Sequence, residues 1–157
     1  MRRSLPALVA VLALALAACA RPALPIRLAG LHRAHVWSGE RAARLMANMH
    51  GRDVAPRSSV VAEYGREGEL RVFLSVYPKD EDAGRVLARM LEAMRSGGTP
   101  FTPPGAEDGS GRWATFGPGG HHILWVSHSR LYWLQGLPDA VEQAAAELPA
   151  PTPGVWT

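Results

Sequence analysis

A chain of 157 residues with 17 basic and 14 acidic side chains and a single Cys is long enough for one domain with its own core, and it cannot be stapled by an internal disulfide. Its formal charge of +3 is too small and too evenly balanced to be the footprint of a nucleic-acid binder. Sixteen of the 17 basic residues are Arg and only Lys79 is Lys, a compositional habit rather than a binding device.

Arg2 and Arg3 precede an apolar stretch, Leu5–Ala18, interrupted only by Pro6. A membrane-spanning helix needs about 20 residues, so these 14 have the length of an export signal rather than of a permanent span. The stretch ends in Leu16-Ala17-Ala18-Cys19. Leu three before a Cys, with two small residues between, resembles the lipobox of bacterial lipoproteins. The resemblance implies cleavage between Ala18 and Cys19, a thioether-linked diacylglycerol on the Cys19 sulfur and an acyl chain on the new amino group. Each buried CH₂ is worth about 0.8 kcal/mol, and two or three chains on one residue make detachment negligible. Ala20 rather than Asp after the Cys resembles the outer-membrane-sorted members of the class. That implies a lipid anchor on the periplasmic face of the outer membrane in a Gram-negative host. A small-x-small site for ordinary secretion, Ala15-Leu16-Ala17, lies beside the lipobox.

Taking 18 residues from 157 leaves 139, and with Arg2 and Arg3 gone 15 basic residues face 14 acidic ones, a formal charge of +1. Residues 20–31 carry Pro22, Pro25 and Gly30 and read, with Cys19, as a tether. A short extended segment is expected at Arg33–Trp37. Ser38 then serves as N-cap for a helix whose apolar stripe is Ala42, Leu45, Met46 and Met49, with Trp37 stapled on Ala42 and Gly51 as the stop. Alternation predicts strands at Ser58–Tyr64 and Leu70–Tyr77 joined by a Gly-containing hairpin loop. Asp80, Glu81 and Asp82 open a second helix with the stripe Ala83, Val86, Leu87, Met90, Leu91 and Met94, stopped by Gly97-Gly98. Residues 99–111 read as a long loop. A three-stranded meander follows at Arg112–Phe116, His121–Ser127 and Arg130–Gln135, turning at Gly117–Gly120 and at His128-Ser129. A third helix, Pro138–Leu148, and a loose Pro-rich tail, 149–157, complete the chain.

Domain bounds are therefore a signal peptide at 1–18, a lipidated tether at 19–31, one domain at 32–148 and a tail at 149–157. Amphipathic helices need a sheet face to cover. The expected class is α+β, an antiparallel sheet with helices packed on one side. A ferredoxin-like variant, or a degenerate duplication of a helix-then-hairpin unit, would both produce this order.

Candidate chemistry is sparse. Met46, Met49 and His50 at i, i+3 and i+4 could offer soft ligands to Cu(I), although the two Met also continue the apolar stripe. His121 and His122 are adjacent in a strand and point to opposite faces, one expected half-buried and the other solvent-facing. A pairing of His50 with His122 is conceivable as a copper, zinc or haem site, but no spacing assigns a metal centre, and no cofactor is implied beyond the Cys19 lipid. Trp125 and Trp133 in successive strands either pack across the sheet or form a partly open aromatic face for a planar ligand or partner. No G-x-S-x-G elbow is present, and the carboxylate pairs Asp80–Asp82 and Glu107-Asp108 read as solvated, without the apolar surroundings that raise a pKa. The expected function is that of a membrane-anchored, non-enzymatic domain that contacts another component of the cell envelope. The alternative is a lipoprotein that binds a small ligand or metal, with His50, His122, Trp125 and Trp133 as its contacts.

Overall fold

The computed structural model describes residues 23–47 and 55–154; the Ala18-Cys19 cleavage and lipidation site, Met49 and His50 lie outside them. Eight strands form one antiparallel sheet: β1 (Arg27–Leu28), β2 (Leu31–Ser38), β3 (Ser58–Tyr64), β4 (Leu70–Val76), β5 (Gly105–Glu107), β6 (Arg112–Gly117), β7 (Gly120–Ser127) and β8 (Arg130–Gly136), in the spatial order β1-β2-β3-β4-β8-β7-β6-β5. Three helices accompany them: α1 (Gly39–Met46), α2 (Asp80–Arg95) and α3 (Pro138–Glu147). The α+β class and the antiparallel sheet follow the sequence pattern. Among the described residues no helix is long and apolar enough to cross a membrane.

Two meanders, β2-β3-β4 and β6-β7-β8, meet at their last strands, where Leu70–Val76 of β4 runs in unbroken register against Arg130–Gly136 of β8. The strands of the two halves thus correspond, and α1 and α2 share a face, as a two-fold normal to the sheet would place them. The helices break the correspondence: α1 joins β2 to β3, α2 precedes β5 and β6, and α3 has no equivalent in the first half. Eight strands in this linear order also depart from the ferredoxin-like arrangement.

The helices lie on both faces of the sheet, which corrects the one-sided packing expected from sequence. Ala42 and Met46 of α1 and the Val86, Leu87, Met90 and Met94 stripe of α2 pack with Val61, Phe73, Leu124, Val126, Leu131 and Trp133. On the other face Val141, Ala144 and Ala145 of α3 pack with Val60, Ala62, Val72, Ile123, Trp125, Tyr132 and Leu134. The physical reason is visible in the strand composition. β7 and β8 are nearly continuous apolar runs, buried along almost their whole length, and such strands must be covered twice.

Two expected margins belong to the domain instead. Leu24 and Leu28 are buried in the α3-side core, Tyr64 donates its hydroxyl proton to the Pro25 carbonyl at 2.8 Å, and Arg33 Nη1 donates to the Leu24 carbonyl at 2.7 Å. The tether therefore cannot extend to residue 31, and Leu24 is already part of the folded unit. At the other end Trp125 Nε1 donates to the Pro149 carbonyl at 2.8 Å, and Thr152 bonds to Val126 and His128, so the tail is stitched down through residue 152. β5 also lies inside what reads as a continuous loop; Gly105-Ala106-Glu107 has no apolar alternation to announce a strand.

The seam between the meanders ends at Gly136, whose φ of +151° accompanies a close approach: a Cβ there would lie 2.3 Å from the Glu69 carbonyl oxygen. Gly68 has φ +80° but open space around it. Gly136→Ala is expected to cost about 3 kcal/mol or more in urea unfolding, because strain and backbone collision add. Gly68→Ala is expected to cost about 1 kcal/mol from strain alone.

Candidate functional site

The second helix runs out at Gly97, and the chain crosses the end of the sheet before returning as β5. Two threonines latch this crossing to β6: Thr102 N donates to the Phe116 carbonyl at 2.8 Å, Phe116 N donates to Thr102 Oγ1 at 3.0 Å, and Thr115 Oγ1 donates to the Thr102 carbonyl at 2.6 Å. Phe101, next to the latch, is thereby held over Gly117, where a Cβ would collide with the ring at 2.3 Å. Its ring meets Trp133 edge-on at 5.5 Å and His122 at 5.0 Å.

Between this crossing, the end of α2, the Pro118-Gly119 turn and β8 lies a cleft of about 580 Å³. Met90, Met94, Pro100, Phe101 and Trp133 give it apolar walls, and Thr99 and Gln135 bring polar atoms. The Gln135 side chain passes so close to Gly119 that any Cβ there would displace it. Thr99 Oγ1 is enclosed and has no hydrogen-bond partner. The volume falls in the usual range for small-molecule sites, as does the pairing of apolar walls with few polar groups.

Behind the wall His122, 1% exposed, holds Trp133 in place. Trp133 Nε1 donates to His122 Nδ1 at 2.8 Å, and the Pro118 carbonyl lies 3.0 Å from Nε2. An indole N–H can only donate and a carbonyl can only accept, so the imidazole is neutral with its proton on Nε2. Burial pushes its pKa down to about 4, against the opposing pull of the Pro118 carbonyl.

The structure brings His122 and Trp133 of the sequence candidates together at one site. Trp125 is elsewhere. It pairs with Tyr132 rather than Trp133, stacks on it at 4.9 Å and is fully buried under α3. A shared face for Trp125 and Trp133 is therefore corrected: Trp133 sits opposite Leu124, and the two indoles point to opposite sides of the sheet. Met46 is a core residue, 3% exposed and 4.0 Å from the Ser75 hydroxyl. His121 is also buried, at 6% exposure, so neither imidazole is solvent-facing, because helices cover both faces. Glu107 corrects a third expectation. Its carboxyl is raised above the ordinary range, first by burial and then by the charge of Glu142.

Sequence reasoning missed Thr99, Phe101, Pro118 and Gln135 as cleft residues. The length of the 99–111 segment was the available signal, since long connections in compact domains are often binding loops. Met90 and Met94, at i and i+4 on the last turns of α2, were legible only as apolar stripe.

The His122 pKa, about 4 against an ordinary 6.5, fixes the sign of a pH effect. The unfolded chain takes up the proton first, so stability is unaffected above neutrality and falls as pH drops from about 6.5 toward 4, by up to about 3 kcal/mol. Urea unfolding across this range should show the decline in wild type. His122→Asn keeps an acceptor for Trp133 and removes the titration; its stability should be lower at pH 7 and flatter toward pH 5. Parallel curves for the two proteins would contradict the assignment.

No known protein family, curated protein or solved structure matches the chain.

Proposed function

We propose that the chain is a lipid-anchored envelope protein whose domain binds a small, flat, largely apolar molecule in the cleft between the end of α2 and the Pro118-Gly119 turn. The observation that carries the reading is an apolar, aromatic-walled concavity of ligand size, with the Thr99 hydroxyl at its margin, buried and without a partner. A buried hydroxyl with no partner costs about 1–3 kcal/mol; turned about χ1 toward the cleft, the Thr99 hydroxyl would bond to a ligand and recover that cost. Among the described residues that line the cleft none has a titratable side chain with which to transfer a proton. This favours binding over catalysis. Phe101, His122 and the threonine latch hold the walls in position before any ligand arrives, which lowers the ordering cost of binding.

The anchor belongs to the same reading. Cys19 stands five residues before Leu24, which is buried in the core on the α3 side, and five residues span at most about 18 Å. A diacylglycerol on Cys19 would hold the domain close against the bilayer surface, where apolar molecules concentrate.

Paired probes test the cleft. Naphthalene and 2-naphthol should both quench Trp fluorescence on binding, with 2-naphthol tighter. Thr99→Val should abolish the difference between the two, and Phe101→Ala should weaken both about tenfold, or about 1.4 kcal/mol. Binding that neither substitution alters would defeat the reading. For the anchor, mass spectrometry of protein expressed in a bacterium should find Cys19 as a lipidated first residue, and Cys19→Ser should shift the protein from the membrane to the soluble fraction. An unmodified thiol in wild-type protein would reject the anchor without touching the cleft.

A further inference from the structure

On the opposite face of β7 from the cleft, three side chains from three elements converge. His121 is paired opposite Phe116 of β6, and its ring stacks on the Phe116 ring at 4.8 Å with 19° between planes. Its Nδ1 is fully enclosed and has no hydrogen-bond partner. The nearest carboxylate oxygen across the gap, Glu142 Oε1 of α3, is 3.7 Å away, too far to bond. Glu107 of β5 supplies a third group, and one ligand atom from each of the three lies within 4.8 Å of the others.

An imidazole nitrogen left without a partner at this depth is unusual, since buried polar groups are nearly always paired. Two carboxylates drawn together beside it add a repulsion that the fold must tolerate. One addition relieves all three. A tetrahedral ion bound at about 2.0–2.2 Å holds its donors about 3.4 Å apart, so the three groups need to close by roughly 1 Å from where they stand. Glu142 has the freedom to do so, its side chain being 54% exposed.

We propose that Glu107, His121 and Glu142 form a site for a divalent transition cation of the Zn²⁺ class, with one nitrogen and two oxygen ligands from the protein and a further position for water. An imidazole in the set favours such an ion over Mg²⁺ or Ca²⁺, which prefer all-oxygen shells. The two carboxylates match the ion's charge. Arg112 works against it, because its guanidinium is near enough to act on Glu107. That group is held aside, with Nη2 donating to the Ala145 carbonyl at 2.7 Å and the guanidinium carbon 5.4 Å over the Trp125 ring. Asp108 adds negative charge on the Glu107 side. The site is independent of the ligand cleft.

The test uses the full-length chain, purified without an affinity tag and stripped with a chelator. Calorimetric titration with ZnCl₂ at pH 7.5 should give one site of micromolar affinity or tighter, and excess Zn²⁺ should raise Tm by several degrees. MgCl₂ at the same concentration should do neither. Glu142→Gln and Glu107→Gln should each weaken Zn²⁺ binding at least tenfold. Their metal-free Tm should be unchanged or higher, because each removes one of two repelling charges. This distinguishes lost ligands from a damaged fold. Absence of binding up to millimolar Zn²⁺ would overturn the proposal. So would an affinity that stays within twofold in the Glu107→Gln/Glu142→Gln double variant, which would place the ion on other histidines. Phe101→Ala should leave Zn²⁺ binding intact.

Discussion

Covering β7 and β8 on both sides is the constraint from which the rest of this structure follows. A strand with one wet face can turn a polar residue outward at no cost. A strand buried on both faces cannot, and each polar side chain on it must find a partner within the protein or remain unsatisfied at a cost of about 1–3 kcal/mol. His121 and His122 are neighbours on such a strand, and each enters a different core. His122 meets an indole donor and a carbonyl acceptor that together fix its tautomer. His121 meets two carboxylates that stop short of its nitrogen. One peptide unit thus separates an imidazole spent on structure from an imidazole left available.

This difference carries over to the two candidate sites. The aromatic walls of the cleft over Trp133 are held by partnered groups: His122 fixes the indole, the Thr102–Thr115 latch fixes Phe101, and Gly117 and Gly119 leave room for the rings and amide that line it. The Glu107–His121–Glu142 group is the reverse, with partners near one another and unjoined. The first arrangement suits shape recognition of an apolar molecule, and the second suits charge recognition of an ion. The sheet itself insulates one from the other.

Much of the fold could be read along the chain because local signals and tertiary packing agree. The stripe of α2, the alternation of Leu70–Tyr77 and the turns at Gly117–Gly120 and His128-Ser129 each specify their element without help from distant residues. The assignment of faces could not be read this way. Ile123, Leu124, Trp125 and Val126 form a continuous apolar run, and such a run says that a strand is buried twice without saying by what. Expecting all helices on one side led directly to a solvent-facing histidine, whereas placing Trp125 beside Trp133 failed on register, since the two-residue turn sets Trp125 opposite Tyr132. Glu107 misled for a related reason. Beside Asp108 and among glycines it has the composition of a wet loop, and only the approach of α3, more than thirty residues later, dries it. Leu24 and Leu28 were obscured by the prolines and glycine around them, which mark irregular backbone but not whether that backbone is buried.

The outer margin of β2 has a consequence of its own. Among the described residues only Ile26–Leu28 bond to that edge, and beyond them the register of β2 against β3 slips between Arg33 and His35. A row of unpaired amides and carbonyls on a flat strand invites a neighbouring sheet to continue the ladder. Here the kinked stretch spoils the spacing that a second molecule would need, and at the far end the sheet closes on a β5 of three residues. Copies of this domain can be crowded side by side without zipping into a common sheet.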